Sequence, residues 1–222
     1  MDDMYAIEGL IQNYPQLEGN KGQVLAAFAM LCQCYAGKKK LLLCGNGGSA
    51  ADCEHIAGEL MKEYRVRRRI PPEFAEKLKQ HGAGEEMLEN IVGALPAISL
   101  AGHVSFQTAF CNDNDAEYAF AQQLYALGEA GDVLLAISTS GNSGNVIHAA
   151  TVAKAMGIAV IAMTGSSGGA IRKLADVLIN VPAEETARVQ ELHLPIYHAL
   201  CGMLEDYFFS KAKEKQERKA AL

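Results

Sequence analysis

The sequence predicts an α/β fold: a five-stranded parallel sheet flanked by helices on both faces, with a pair of N-terminal helices and one long C-terminal helix. Three observations carry this prediction. Apolar-rich runs of strand length recur at 41–44, 96–101, 133–137, 158–163 and 177–181, broken by a polar residue only at Ser99 and Asn180, as in strands covered on both faces. These runs alternate with stretches of helical periodicity, the order that builds a doubly wound parallel sheet through helical crossovers. Twice, at Gly45–Ser49 and Ser138–Ser143, the apolar run breaks into a glycine- and hydroxyl-rich loop before a helix resumes.

In chain order, residues 2–13 and 20–37 carry helical periodicity, the second with Val24, Leu25, Phe28, Leu31, Cys32 and Tyr35 on one stripe. Leu41, Leu42, Leu43 and Cys44 form the first strand, and a helix over about 50–64 follows its glycine loop. Residues 65 to about 92 break the rhythm: Arg65, Arg67, Arg68 and Arg69 precede Pro71 and Pro72, then a charged helical segment at 73–80. This reads as an insertion carrying a short solvated helix, its arginines on a surface face; a basic lid over an anionic substrate is the alternative. A strand at 96–101 and helices over about 103–111 and 115–128 lead to the central strand at 133–137. A helix at 143–156, a strand at 158–163, a helix over about 169–175 and a strand at 177–181 complete the alternation. A long helix is expected from about Glu184 to Lys213, kinked or broken at Pro195, and residues 211–222 read as a basic tail.

Composition bounds the function classes. A chain of 222 residues, half of them hydrophobic, suits one well-buried domain spanning 1–222. Its formal charge of −6 argues against a general nucleic-acid binder, which needs basic surface to displace counterions. Cysteines 32, 34, 44, 53, 111 and 201 lack the spacing of a zinc ribbon or disulfide framework and read as reduced thiols. No stretch resembles a signal peptide or a membrane span, so a cytoplasmic protein is expected.

The loop Ser138, Thr139, Ser140, Gly141, Asn142, Ser143 concentrates hydroxyls, free backbone N–H groups and the positive end of a helix macrodipole at one point. It reads as an anion cradle for phosphate; an ordinary cluster of N-cap residues is the alternative. His55 and Glu59, four apart on the helix after the first glycine loop, share a face and make half of a metal site or an acid/base pair. Taken alone, their spacing describes a hydrogen-bonded helix-surface pair more simply. In the C-terminal helix Gln190 and His198 lie eight apart, roughly 12 Å along the axis, and spacing does not choose between His193 and His198 as the functional histidine. Asn112 and Asp113 suit cap and turn chemistry or a contact to a substrate hydroxyl.

Taken together, CGNGGSAADCEHIAGEL, AISTSGNSGNVI and RVQELHLPIYH resemble the sugar isomerase (SIS) domain family, and within it the phosphoheptose isomerases. The match runs through most of the chain in the right order. The resemblance implies a flavodoxin-like doubly wound fold and aldose–ketose isomerisation through a cis-enediol, of sedoheptulose 7-phosphate to D-glycero-D-manno-heptose 7-phosphate. It places the sugar phosphate on Ser138, Thr139, Ser140 and Ser143. Further substrate contacts are implied at Asn46, Gly47, Gly48, Ser49, Glu59, Asn112, Asp113 and Gln190. Zinc is implied at His55, Glu59, Gln190 and His198, with Glu59 and His198 as the acid/base pair. Family members are typically homotetramers whose sites draw on more than one subunit.

The chain departs from the family pattern at residues 65 to about 92, where relatives pass almost directly to the next strand. Some relatives keep the fold without the catalytic set and act as sugar-phosphate-binding regulators or as an adaptor of the replication initiator. The presence of Glu59 and His198 argues for the enzyme.

Overall fold

The computed structural model describes residues 3–210; the basic tail expected at 211–222 lies outside them. Helices α1 (Asp3–Asn13) and α2 (Lys21–Ala36) open the chain, joined by a 3₁₀ segment at Pro15–Asn20. Strand β1 (Leu41–Gly45) leads through the first glycine loop into α3 (Gly48–Met61). The insertion holds α4 (Pro72–Gln80) and α5 (Glu85–Asn90) and returns to β2 (Ala97–Ser99). Then come α6 (Val104–Asp113), α7 (Ala119–Leu127), β3 (Val133–Ile137), α8 (Gly144–Ala155), β4 (Ala159–Thr164), β5 (Val177–Asn180) and α9 (Thr186–Glu205).

The five strands pair in the order β2-β1-β3-β4-β5, every pair parallel, with Leu43 opposite Leu135, Leu135 opposite Ile161 and Ile161 opposite Val177. The chain leaves β1 outward to β2 on one side and returns to β3 on the other. That reversal opens a crevice at the carboxyl ends of β1 and β3, where ligands of open α/β sheets bind. Both glycine loops lie at this edge.

Alternation along each strand divides the core. Leu41, Leu43, Leu135, Ile137, Ile161 and Met163 pack with Phe28, Ile56, Leu60, Ile196, Leu200 and Leu204 of α2, α3 and α9. Leu42, Cys44, Leu134, Ala136, Val160 and Ala162 pack with Leu124, Val146 and Ala150 of α7 and α8. Each fully buried leucine or isoleucine contributes about 1.5–3 kcal/mol of transfer free energy. The packing that stabilises the sheet therefore also fixes α3 and α9 side by side on one face.

Several expectations are corrected. The segment 169–175 forms only a 3₁₀ turn, Ala170–Lys173, because Gly168 and Gly169 both adopt positive φ before it (72° and 55°). Helix α9 is continuous through Pro195, so the proline does not split it into two segments, and it ends at Glu205 in a π-turn, Asp206–Ser210. The insertion carries a second short helix, α5, although neither α4 nor α5 buries a residue. The arginines preceding it do not all face solvent: Arg68 is 1% exposed. Its Nε donates to Glu205 at 2.7 Å, and its two terminal nitrogens donate to the carbonyls of Leu60 (2.7 Å) and Glu59 (2.8 Å). Those carbonyls belong to the last turn of α3 and have no intrahelical donor. None of the six cysteines is joined in a disulfide. No helix among the described residues is long and apolar enough to cross a membrane.

Candidate active site

The site begins with two strand-to-helix loops. After β1 the chain turns through Gly47 at φ 56° into α3. After β3, Ser138 Oγ and Ser143 Oγ lie 3.0 Å apart across the base of the second loop. Ser143 occupies the N-cap position of α8 without a side-chain capping bond, and Ser140 Oγ accepts from the Asn142 N–H at 3.1 Å. Ser140 thus stabilises the turn of the loop, and Ser143 does not cap the helix with its side chain. Gly141 makes this geometry possible: its φ is 68°, and a Cβ there would collide with the Gly168 carbonyl. Asn142 Oδ1 accepts from the Ala170 N–H at 2.9 Å, locking the same loop to its neighbour.

The amides of Asn46 and Asn145 exchange two hydrogen bonds of 2.9 Å, tying the first glycine loop to the start of α8. The Glu117 carboxylate lies over Gly144, so the positive end of α8 already faces one internal anion. Ser49 is buried and packs under Gly45, while Gly47, Gly48 and Ser140 face outward.

The second half of the site is a cluster between α3 and α9. Glu59 is 6% exposed. Its Oε1 lies 3.1 Å from His55 Nε2 and 3.6 Å from His198 Nε2, and the two imidazoles stand edge to face at 5.1 Å. The spacing alone suggests a surface pair at His55 and Glu59; packing of α9 converts it into a three-residue centre. One ligand atom from each residue falls within 4.8 Å of the others. Glu59 Oε2 is buried without a hydrogen-bond partner, a costly state for a carboxylate oxygen. Two imidazole nitrogens and a carboxylate with an orphaned oxygen fit a borderline cation such as zinc.

Not every candidate joins this centre. Gln190 lies against Gly48 at the start of α3, whereas His198 lies beside Glu59 near its end, so the two stay about two helical turns apart within one chain. His193 is fully buried on another face of α9, its Nε2 3.2 Å from the Thr164 carbonyl, and burial holds its pKa down to about 4. The structure therefore separates the two histidines that spacing leaves equivalent. Asn112 and Asp113 are exposed at the end of α6, where the Asn112 amide donates to Asp113 at 2.8 Å.

Sequence reasoning misses three neighbours. Tyr197 O–H donates to Asp52 Oδ1 at 3.2 Å and meets His55 Nδ1 at 3.1 Å. Tyr64 stacks on His198, ring centroids 6.0 Å apart. Asp52 lies one turn before His55, a spacing that puts it on the same face, but nothing in the sequence points from either residue to position 197.

A parallel sheet of this order, with a hydroxyl-rich loop at its carboxyl edge, defines the class: the SIS domain family model matches residues 87–165. A phosphoheptose isomerase of Shewanella denitrificans is 42% identical over 186 residues, covering 82% of this chain and 83% of its own. The structure of a phosphoheptose isomerase from Neisseria gonorrhoeae is similar with a TM-score of 0.65 at 39% identity, over 82% of this chain and 84% of that one. One from Francisella tularensis gives a TM-score of 0.73 at 30% identity, over 90% and 94%. The chain belongs to the phosphoheptose isomerase family of SIS-domain proteins.

Proposed function

We propose that the protein is a phosphosugar aldose–ketose isomerase acting on sedoheptulose 7-phosphate to form D-glycero-D-manno-heptose 7-phosphate. The observation that carries this is the buried Glu59 carboxylate held between two imidazoles, 3.1 and 3.6 Å away, on the helix that leaves the first glycine loop. Ser138, Thr139, Ser140 and Ser143 anchor the phosphate, with Asn46, Gly47, Gly48, Ser49, Asn112, Asp113 and Gln190 lining the sugar. Anchoring the far end of the chain presents carbon 1, next to the ketone, to the base. Glu59 Oε1 takes a proton from carbon 1, giving the cis-enediol, and returns it to carbon 2. His198 moves the hydroxyl proton from oxygen 1 to oxygen 2, leaving the aldehyde.

His55, Glu59 and His198 are the residues that would hold zinc, with Gln190 as a further ligand supplied across a subunit boundary. When bound, zinc supplies a Lewis acid for the substrate carbonyl. Such sharing goes with a homotetramer, for which light scattering should return about four times the 23.8 kDa chain mass. A cytoplasmic location accords with six cysteines outside any disulfide, and cell fractionation tests it.

A non-catalytic phosphosugar-binding regulator would share the loop but has no use for the Glu59 cluster. Turnover separates the two. Incubation with ketose phosphates in deuterium oxide should place deuterium at the carbon next to the carbonyl. Glu59→Gln and His198→Gln should each reduce that exchange about a hundredfold or more, while phosphate binding persists. Binding without exchange in the wild type would leave the regulator as the better reading.

A further inference from the structure

We propose that Tyr197 and Asp52 are positioning residues that set the tautomer of His55 and keep its Nε2 lone pair aimed at Glu59. The inference rests on the reading of His55, Glu59 and His198 as the reacting centre, and adds what prepares that centre.

The argument is one of proton counting. Tyr197 has one hydroxyl proton and its oxygen meets two groups, Asp52 Oδ1 at 3.2 Å and His55 Nδ1 at 3.1 Å. An ionised carboxylate only accepts, so the proton goes to Asp52. The tyrosine oxygen must then accept, and the group facing it must be an Nδ1–H. A neutral His55 with its proton on Nδ1 carries a lone pair on Nε2, which faces Glu59 Oε1 at 3.1 Å. Two acceptors at that distance hold together only with a proton or a cation between them. The relay thus leaves His55 Nε2 ready to bind a metal ion or to share the proton that Glu59 removes.

The surroundings favour one direction of the relay. Tyr197 is 1% exposed, wedged edge to face against both His55 (5.6 Å) and His198 (4.8 Å), so its hydroxyl has little freedom to swing away. The hydroxyl does for His55 what a carboxylate or carbonyl does for metal-bound histidines generally: it fixes ring orientation and tautomer.

The test uses the full-length protein and two variants. Tyr197→Phe keeps the packed ring and removes the hydroxyl. Asp52→Asn can donate as well as accept and so removes the bias on the tyrosine proton. Histidine ¹⁵N spectra, with the His55 signal identified by its loss in His55→Gln, should report the Nδ1–H tautomer in the wild type and a shift toward Nε2–H in both variants. Zinc affinity, read by competition with a chromophoric chelator, should fall about 10–100-fold in each. An unchanged tautomer together with unchanged zinc affinity in Tyr197→Phe would overturn the proposal. A wild type that takes up no zinc, but whose His55 tautomer still shifts in the variants, would remove the metal from the proposed function and leave the relay standing as support for the acid/base pair.

Discussion

Arg68 and Glu205 form a fully buried ion pair, Nε to Oε1 2.7 Å, with neither side chain reaching solvent. The pair is satisfied on both sides. Glu205 also accepts from the backbone N–H groups of Tyr64 (2.8 Å), Arg65 (2.7 Å) and Val66 (3.2 Å), and the Arg68 guanidinium lies 4.9 Å from the centre of the Phe209 ring. Because Arg68 also holds the carbonyl of Glu59, it joins the stem of the insertion, the end of α9 and the backbone of the proposed base.

The first prediction follows from that connection. Removing one partner of a buried, hydrogen-bonded pair costs about 3–5 kcal/mol, so Arg68→Met should lower stability by that order and reduce turnover by loosening Glu59. The double variant Arg68→Met/Glu205→Gln should lose less than the two single losses added together. Denaturant unfolding at fixed protein concentration measures this. A single-variant loss below about 1 kcal/mol would mean that the pair does not hold the α3–α9 joint.

A second prediction concerns the phosphate loop. Gly141→Ala forces a side chain into the left-handed region, at about 1–2 kcal/mol, and drives its Cβ into the Gly168 carbonyl. Affinity for inorganic phosphate or a sugar phosphate should fall about tenfold or more. Glu117→Gln should act in the opposite direction, because it removes the carboxylate that already lies over the start of α8. Titration calorimetry gives both values, and a Gly141→Ala protein that binds phosphate normally would place the anion elsewhere.

What the sequence makes legible is what is local. Leu41–Cys44 and Val133–Ile137 read as strands because an unbroken apolar run that ends in a glycine- and hydroxyl-rich loop needs no distant partner to be recognised. His55 and Glu59 are legible as a shared helix face for the same reason. Arg68 is not, since its partner lies 137 residues away and four neighbouring arginines look alike until one is folded inward. Tyr197 is hidden behind its neighbours in the same way, appearing as an apolar position of α9 until Asp52 and His55 meet its hydroxyl. Pro195 differs in the other direction: the missing N–H argues for a kink or a break, yet the residue is buried and α9 continues through it without a break. Gln190 and His198 share a helix in the sequence, but only the fold assigns them to opposite ends of α3.

The third prediction is a pH dependence assigned to one residue. His193 is fully buried, its Nδ1 has no hydrogen-bond partner, and burial depresses its pKa to about 4, against roughly 6.5 in the unfolded chain. Above pH 6.5 both states are neutral at this position and the residue contributes no pH dependence. As pH falls from about 6.5 toward 4, the unfolded chain gains a proton that the folded one refuses, so stability declines by about 1.4 kcal/mol per unit, to a total of roughly 3 kcal/mol. Carboxylates elsewhere add their own acid dependence, so the informative quantity is the difference between the wild type and His193→Gln, which keeps an N–H donor for the Thr164 carbonyl. Urea unfolding at pH 7.5, 6 and 4.5, at one protein concentration because assembly is linked to stability, should give a shallower loss for the variant, with its isomerase activity at pH 7.5 within a few-fold of normal. Parallel stability profiles for the two proteins would show that His193 does not remain neutral in the folded state, and a hundredfold loss of turnover would return it to the list of candidate acid/base groups.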